Sequence, residues 1–312
     1  MYTNYFELKS NTELIFKNKF LEDISNHNFE NWIDIEHLYY GYLKHCINPN
    51  LSFRYSIVQL NKDLERIKKL LEKYLIKVVN EYAFLHKNED FIENILNKIY
   101  SEFKEIDFKK AYRSSISNLK LFPRFQDNEI LFLNFNYTPF DKIYREVPIL
   151  TISNQNNFKH SSNYIHGELE SKSNQMIFGY GDELDDDYKT IEKKNDNEYL
   201  ENVKSIKYLY THQYIDLMTF IDSNPYQIFI FGHSCGLSDR TLLNTLFEHE
   251  NCASIKPFYH LKEDGTDNYS DIVKNISRNF NNKSAMRSVV VNKMYCEPLN
   301  PPFKMYLPHL SL

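Results

Sequence analysis

Apolar and polar positions divide the chain into a helical first part and an alternating second part. Ile57, Leu60, Leu64, Ile67, Leu71, Tyr74, Leu75 and Val78 recur at helical spacing with lysines and glutamates between them. That stripe predicts a long helix from Ile57 to about Tyr82. Asn31-Trp32-Ile33-Asp34-Ile35-Glu36 reads as a helix start, with Asn31 as the N-cap and Asp34 as the N3 acid. Leu38, Tyr39 and Tyr42 extend its apolar stripe, and a further helix is expected over Phe91–Phe103. These stripes are read as core packing in a mainly helical region spanning residues 1–125.

The texture changes at Asp127. Glu129-Ile130-Leu131-Phe132-Leu133-Asn134-Phe135-Asn136 is apolar on both faces, as an interior strand is. Val147–Ile152 predicts another strand, as do three runs that end in glycine: Tyr164–Gly167, Met176–Gly181 and Ile228–Gly232. A helical pattern covers Glu198–Ile221, through Leu200, Val203, Ile206, Leu209, Tyr210, Tyr214 and Leu217. Beyond it lie a strand at Gln227–Phe231, a helix at Asp239–His249, a strand at Ser254–Tyr259, a helix at Ser270–Phe280 and a strand at Ser288–Met294. Alternating strands and helices predict a mainly parallel sheet covered on both faces, an α/β core over residues 126–312. The acidic stretch Asp182-Glu183-Leu184-Asp185-Asp186-Asp187 reads as a solvated loop, with a divalent-metal site as the alternative.

Composition removes several function classes. The 312 residues are 42% hydrophobic and 25% charged, with a net charge of −5, which argues against a surface that coats nucleic acid. No apolar run approaches the roughly 18 residues of a membrane span, and the first residues lack the zones of a signal peptide. Four cysteines (Cys46, Cys235, Cys252 and Cys296) are widely spaced without a Cys-x-x-Cys pair. That excludes a standard zinc ribbon and leads us to expect reduced thiols and a cytoplasmic protein.

Glycine sharpens the picture. Only seven occur, where an average usage of about 7% would give roughly three times as many. Five of the seven fall between Gly167 and Gly236, after β-prone runs. Glycine is kept where the backbone needs φ > 0 or a close approach. In open α/β sheets ligands bind outside the carboxyl ends of strands, so these clusters mark the candidate ligand site.

Three constellations could carry chemistry. In Asn134-Phe135-Asn136-Tyr137-Thr138 an amide at a strand end can donate and accept at once, which suits a sugar hydroxyl or a water. The alternative is an asparagine that satisfies its own loop backbone. His166 before Gly167 offers a general base at a strand end, or else a hydrogen-bonded structural histidine. Gly232-His233-Ser234-Cys235-Gly236 matches the G-x-S-x-G nucleophile elbow. There, however, the helix should start directly after the serine, whereas the cap residues here are Ser238 and Asp239. Asp264 or Asp267 and then His309 follow in the order a triad would need.

Taken in order, Asn136-Tyr137-Thr138, Ile165-His166-Gly167, Phe178-Gly179-Tyr180-Gly181-Asp182 and Phe231-Gly232-His233-Ser234 with Asp239 resemble the bacteriophage abortive infection AbiH family. Trp32-Ile33-Asp34-Ile35-Glu36 also matches a segment found early in that family, and the resemblance covers about Thr3 to Cys296. It implies a sirtuin-like, Rossmann-type fold and an antiphage role. It also implies NAD as a substrate cleaved at the nicotinamide–ribose bond, with Asn136 and His166 as the catalytic pair. Tyr137, Thr138, Gly167, Gly179, Gly181, Asp182, Gly232, His233, Ser234 and Asp239 would then border the nucleotide, with no metal. A phage or defence-system protein as trigger and an oligomer fit the same picture.

The family usually begins with a strand ending in Gly-Asn-Gly-Phe-Asp, the loop expected to take the pyrophosphate. Thr3-Asn4-Tyr5-Phe6 resembles the segment that follows that loop, so the loop is expected to be encoded upstream of Met1 or to be lost in a shortened member. Two further readings stay open beside NAD hydrolysis. One is a nucleotide-sensing or partner-binding module without turnover, and the other is a serine hydrolase using Ser234.

Overall fold

The computed structural model describes residues 6–10, 13–26, 32–47, 55–82, 95, 97–98, 105–113, 128–142, 158–181 and 183–299. The expected N-cap at Asn31, the strand at Val147–Ile152, most of the Phe91–Phe103 helix, Asp182 and His309 lie outside them. The chain forms two compact units. The first comprises residues 1–83, 166–212 and 236–242, and the second 84–165, 213–235 and 243–312.

The first unit opens with an antiparallel pair, β1 (Phe6–Ser10) and β2 (Glu13–Phe16), where the sequence pattern suggests helix. Three helices follow: α1 (Lys19–Asn26), α2 (Trp32–Ile47) and α3 (Ile57–Tyr82). Asn18 starts α1 by accepting the Leu21 N–H on its side-chain oxygen at 2.7 Å. The predicted stripe of α3 is buried at Leu60, Leu64, Ile67 and Leu71, and α3 packs on α1 and α2, whose Phe20, Ile35, Tyr39 and Leu43 are buried too. Each such side chain contributes about 1.5–3 kcal/mol by leaving water.

Residues 166–212 lie on this bundle. The Tyr39 hydroxyl donates to Asn61 Oδ1 at 2.8 Å, and Asn202 Nδ2 donates to the same oxygen at 3.1 Å. Asp185 caps α4 (Asp186–Lys193), so the acidic stretch begins a helix and is not wholly a loop. The Asp185 carboxylate also accepts from the Tyr40 hydroxyl at 2.8 Å, which ties this helix start to α2. The helical pattern expected over Glu198–Ile221 forms in pieces: a 3-10 turn (Asn197–Tyr199), α5 (Lys204–Lys207) and a second 3-10 turn (Tyr208–Tyr210) in this unit, with its end as a helix over Gln213–Ser223.

The cause is backbone pairing with another segment. Tyr180 N–H donates to Asn202 O at 3.0 Å and Lys204 N–H to Tyr180 O at 2.9 Å, so these groups are spent outside any helix. Met176–Gly181 is correspondingly no strand beyond a single parallel bridge between Tyr180 and Val203.

The second unit is α/β. β3 (Asn128–Asn134) pairs in parallel with β4 (Phe158–Tyr164), with Asn134 opposite Tyr164. α6 (Gln213–Ser223) follows, and Gln213 takes the Tyr164 N–H on its side chain at 3.1 Å. β5 (Tyr226–Phe231) leads through α7 (Arg240–Glu248), which joins this unit from Leu243 on, to β6 (Cys252–Phe258), its parallel partner. Every residue of β6 is buried, and the Phe231 and Phe258 rings stack at 4.5 Å. α8 (Tyr269–Asn279) and α9 (Lys283–Val289) pack on β6.

The predicted last strand at Ser288–Met294 is instead the end of α9, one bridge from Val290 to Ile255 and a 3-10 turn at Lys293–Tyr295. Asn282 decides this by accepting the Ser284 and Ala285 N–H groups at 2.9 and 3.0 Å, an N-cap. The chain is therefore mixed α/β, with three two-stranded sheets among the described residues where one continuous sheet was expected. The four cysteines carry free thiols, and no helix among the described residues is long and apolar enough to cross a membrane.

Candidate functional site

His166 stands two residues beyond the end of β4, in a tight turn rather than on a strand. Its carbonyl accepts the Ile177 N–H at 2.7 Å, and Glu168 N–H donates to Asn174 O at 2.9 Å, so residues 174–177 fold back over it. Gly167 makes this possible with φ +86°. A Cβ there would lie 2.2 Å from Gln175 O. The imidazole is buried, with 4% of the residue exposed.

The next shell comes from distant parts of the sequence but from the same unit. Gly236 caps a 3-10 turn, Leu237–Asp239, so Ser238 and Asp239 sit within the turn instead of capping it. The turn presents the Asp239 carboxylate, whose Oδ1 lies 3.2 Å from His166 Nε2 and 2.8 Å from Lys204 Nζ. Lys204 Nζ reaches Glu36 Oε2 at 2.8 Å, and Glu36 Oε1 accepts the Gly179 N–H at 3.4 Å. The Tyr208 hydroxyl lies 3.2 Å from His166 Nε2, with the two rings parallel. Lys204, Glu36 and Asp239 are all buried.

Burial works against the Lys204 charge, but Asp239 and Glu36 outweigh it and hold the ammonium above the usual lysine range. Burial pushes the Glu36 carboxyl above its usual range, against the attraction of Lys204 and with the Asp239 charge adding to the push. A buried cation between two carboxylates, one of them touching an imidazole, is an arrangement that can orient a base and hold a proton.

The expected glycines have packing reasons in this unit. A Cβ on Gly179 would lie 2.0 Å from Asn202 O, and one on Gly181 would lie 3.0 Å from Ser238 O. Gly181 O also accepts the Thr241 N–H at 3.2 Å, so its backbone is pinned to the start of α7.

The remaining candidates belong to the second unit. Asn134 folds the turn after β3: its Oδ1 accepts the Asn136 N–H at 2.8 Å and its Nδ2 donates to Thr138 O at 2.9 Å. Asn134 thus serves its own loop, while Asn136 is exposed and Tyr137 and Thr138 are buried. Asp141, which the sequence pattern did not single out, sits beneath and accepts from the Tyr164 hydroxyl at 2.5 Å. Phe135, beside Asn136, packs on the His233 ring with centroids 4.2 Å apart, so the ends of β3 and β5 meet here.

In the loop after β5, Gly232 has φ +67° and Cys235 has φ +55°. His233 Nδ1 accepts the Cys235 N–H at 3.0 Å, and Asn275 holds Ser234 O at 2.7 Å. The left-handed residue is Cys235, not Ser234, and among the described residues of this unit no histidine hydrogen-bonds the Ser234 hydroxyl. The acids proposed for a triad are engaged elsewhere: Asp264 with Thr266 and Asp267 with Lys293.

The predicted residues thus fall into two groups. His166, Gly167, Gly179, Gly181 and Asp239 come together in the first unit, and Asn136, Tyr137, Thr138, Gly232, His233 and Ser234 lie in the second. Glu36, Lys204 and Tyr208 were missed. Glu36 carried a signal, as the last residue of the Trp32–Glu36 segment, but Lys204 and Tyr208 read as ordinary positions of a helical pattern. Among the described residues no group of His, Cys, Asp and Glu could hold a metal ion.

No curated protein and no solved structure matches the chain. A model of one family does, over residues 1–260, well over half of the length. On that match the chain belongs to the bacteriophage abortive infection AbiH family.

Proposed function

We propose that this abortive infection protein binds NAD and hydrolyses its nicotinamide–ribose bond during phage defence. The observation that carries the reading is the buried imidazole of His166 held at 3.2 Å by Asp239, with Lys204 behind it. An oriented histidine is suited to general-base work near neutral pH. His166 takes a proton from water as that water attacks the ribose anomeric carbon. The C–N bond breaks towards the pyridinium ring, and neutral nicotinamide and ADP-ribose leave. Asn136, exposed in the turn after β3, positions the ribose or the water by its amide.

The test is nicotinamide release from NAD by the purified protein. The reading expects turnover that His166→Ala and Asn136→Ala each lower by about 10²-fold or more. Unchanged turnover in either variant removes that residue from the chemistry.

A second reading has its own support. Nε2 of His166 is already engaged by Asp239 and Tyr208 in a buried place, as a structural histidine would be. In that case the protein is a nucleotide sensor whose binding is read by a phage or defence-system partner. Binding of NAD or ADP-ribose with no nicotinamide release would favour it.

A further inference from the structure

The loop after β5 is held from α8 by two asparagines one helical turn apart. Asn275 Nδ2 donates to Ser234 O at 2.7 Å, and Asn279 Nδ2 donates to Cys235 O at 2.8 Å. The partners fix the direction of these bonds, because a carbonyl can only accept. At Asn275 the direction is fixed twice, since Arg278, which can only donate, reaches its Oδ1 at 2.5 Å. Capping the end of α8 accounts for a single bond of this set, from Asn279 Nδ2 to Asn275 O at 2.8 Å. The bonds to the loop reach outside the helix. Asn279 is fully buried and, among the described residues, its Oδ1 has no hydrogen-bond partner. A chain that buries an unsatisfied amide oxygen forgoes stability that an apolar side chain would keep.

These bonds hold a strained backbone. Cys235 is left-handed at φ +55°, a conformation that suits glycine and that an L side chain rarely adopts. Ser234 O and Cys235 O belong to the two peptide planes that flank its Cα, so holding both fixes its φ and ψ. With Ser234 O turned to α8, the trans peptide puts the Cys235 N–H on the opposite side, where His233 Nδ1 accepts it at 3.0 Å. The His233 ring packs on Phe135, next to Asn136, with centroids 4.2 Å apart. Contacts within the second unit thus run from α8 through the loop to the turn that carries Asn136. Strain kept in place by surrounding structure is a mark of ligand clamps. We propose that Asn275 and Asn279 are positioning residues for nucleotide binding: from α8 they hold Cys235 left-handed and so set Gly232, His233 and Ser234 beside the turn of Asn136. The nucleotide part rests on the NAD reading above; the hold on the loop stands apart from it.

Two measurements on the whole protein test it: deuterium exchange of the Cys235 backbone N–H followed by NMR, and the Kd for NAD by calorimetry. Asn275→Asp keeps the shape of the side chain and loses the donor. Asn279→Leu removes the donor at the buried position, and Asn275→Gln keeps a donor. The first two are expected to speed exchange at Cys235 by about 10-fold or more beyond any change at the β6 amides. In both, the Kd for NAD should rise about 5-fold or more, and Asn275→Gln should return it to within about twofold of the wild type. If Asn279→Leu does not fold, the half-buried Asn275→Asp carries both arms. Wild-type exchange at Cys235 in the folded variants would overturn the proposal. Faster exchange with an unchanged Kd for NAD, or a Gln variant that binds as weakly as the Asp variant, would overturn its nucleotide part. A wild type that binds neither NAD nor ADP-ribose sinks the NAD reading, and exchange at Cys235 then decides the hold on the loop by itself.

Discussion

The carbonyl oxygen of Asn202 occupies the space that a side chain on Gly179 would need, 2.0 Å from where a Cβ would stand. That oxygen accepts the Tyr180 N–H at 3.0 Å, so it cannot move without breaking the bridge that sets residues 202–204 beside 180. Gly179→Ala is therefore expected to cost about 1–3 kcal/mol or more by overpacking. Gly232→Ala meets open space and suffers only from its φ of +67°, at about 1–2 kcal/mol. Urea unfolding of the two variants checks the order, and an equal or reversed cost would contradict the packing argument.

The second unit has a buried ion pair of its own. Lys256 of β6 reaches Asp107 Oδ2 at 2.9 Å, with both side chains at most 5% exposed and the other carboxylate oxygen unpartnered. Asp107→Ala should cost about 3–5 kcal/mol, because it leaves the Lys256 ammonium buried alone. The double variant Asp107→Leu with Lys256→Met should recover much of the loss. Equilibrium unfolding measures both, and a double variant as unstable as the single one would refute the account.

Acid should weaken the contact between α7 and α9. Burial alone would raise the Glu248 carboxyl. The N–H of Asn282 at 2.6 Å and the side chains of Asn244 and Asn281 outweigh that and hold it below the ordinary glutamate value of 4.5. A depressed carboxyl contributes stability that is complete at neutral pH and disappears as pH falls through its folded value. Glu248→Gln should accordingly lower stability at pH 7 and have progressively less effect below pH 4.5. Melting temperatures across pH 2.5–7 would show it, and a gap between wild type and variant that stays constant with pH would speak against it.

Ser234 is expected to be inert. The left-handed residue of its loop is Cys235, and His233 spends Nδ1 on the Cys235 N–H. A fluorophosphonate probe should leave the protein unlabelled. Labelling that vanishes in Ser234→Ala would revive the hydrolase reading.

Much of the fold was legible because its periodicities are local. The stripe from Ile57 to Val78 became α3 with the expected bounds, and the strongly apolar runs became β3, β5 and β6. What failed was settled by long-range backbone pairing or by a single cap. The pattern over Glu198–Ile221 holds at its end, which forms α6, but its first part is broken because Asn202 and Lys204 give their backbone groups to Tyr180. Val289–Val291 is a β-branched run, yet Asn282 starts a helix ahead of it that takes in Val289.

The site divides in the same way. His166 and Asp239 stood out by their motifs, and Asp239 proved to contact His166. Lys204 could not be singled out, since a lysine in a helical pattern reads as solvated until Glu36, 168 residues away, is seen beside it. The glycines marked the right segments for a different reason: at 167, 179 and 181 they admit other backbone.

The proposed NAD hydrolysis at His166 can be tested in infected cells. The direct measurement is the NAD content of cells expressing the protein after phage challenge. The account predicts that NAD collapses with the wild type and is preserved with His166→Ala and Asn136→Ala variants expressed at equal level. NAD that falls equally in the His166→Ala cells, or that never falls in wild-type cells that still resist the phage, would contradict it.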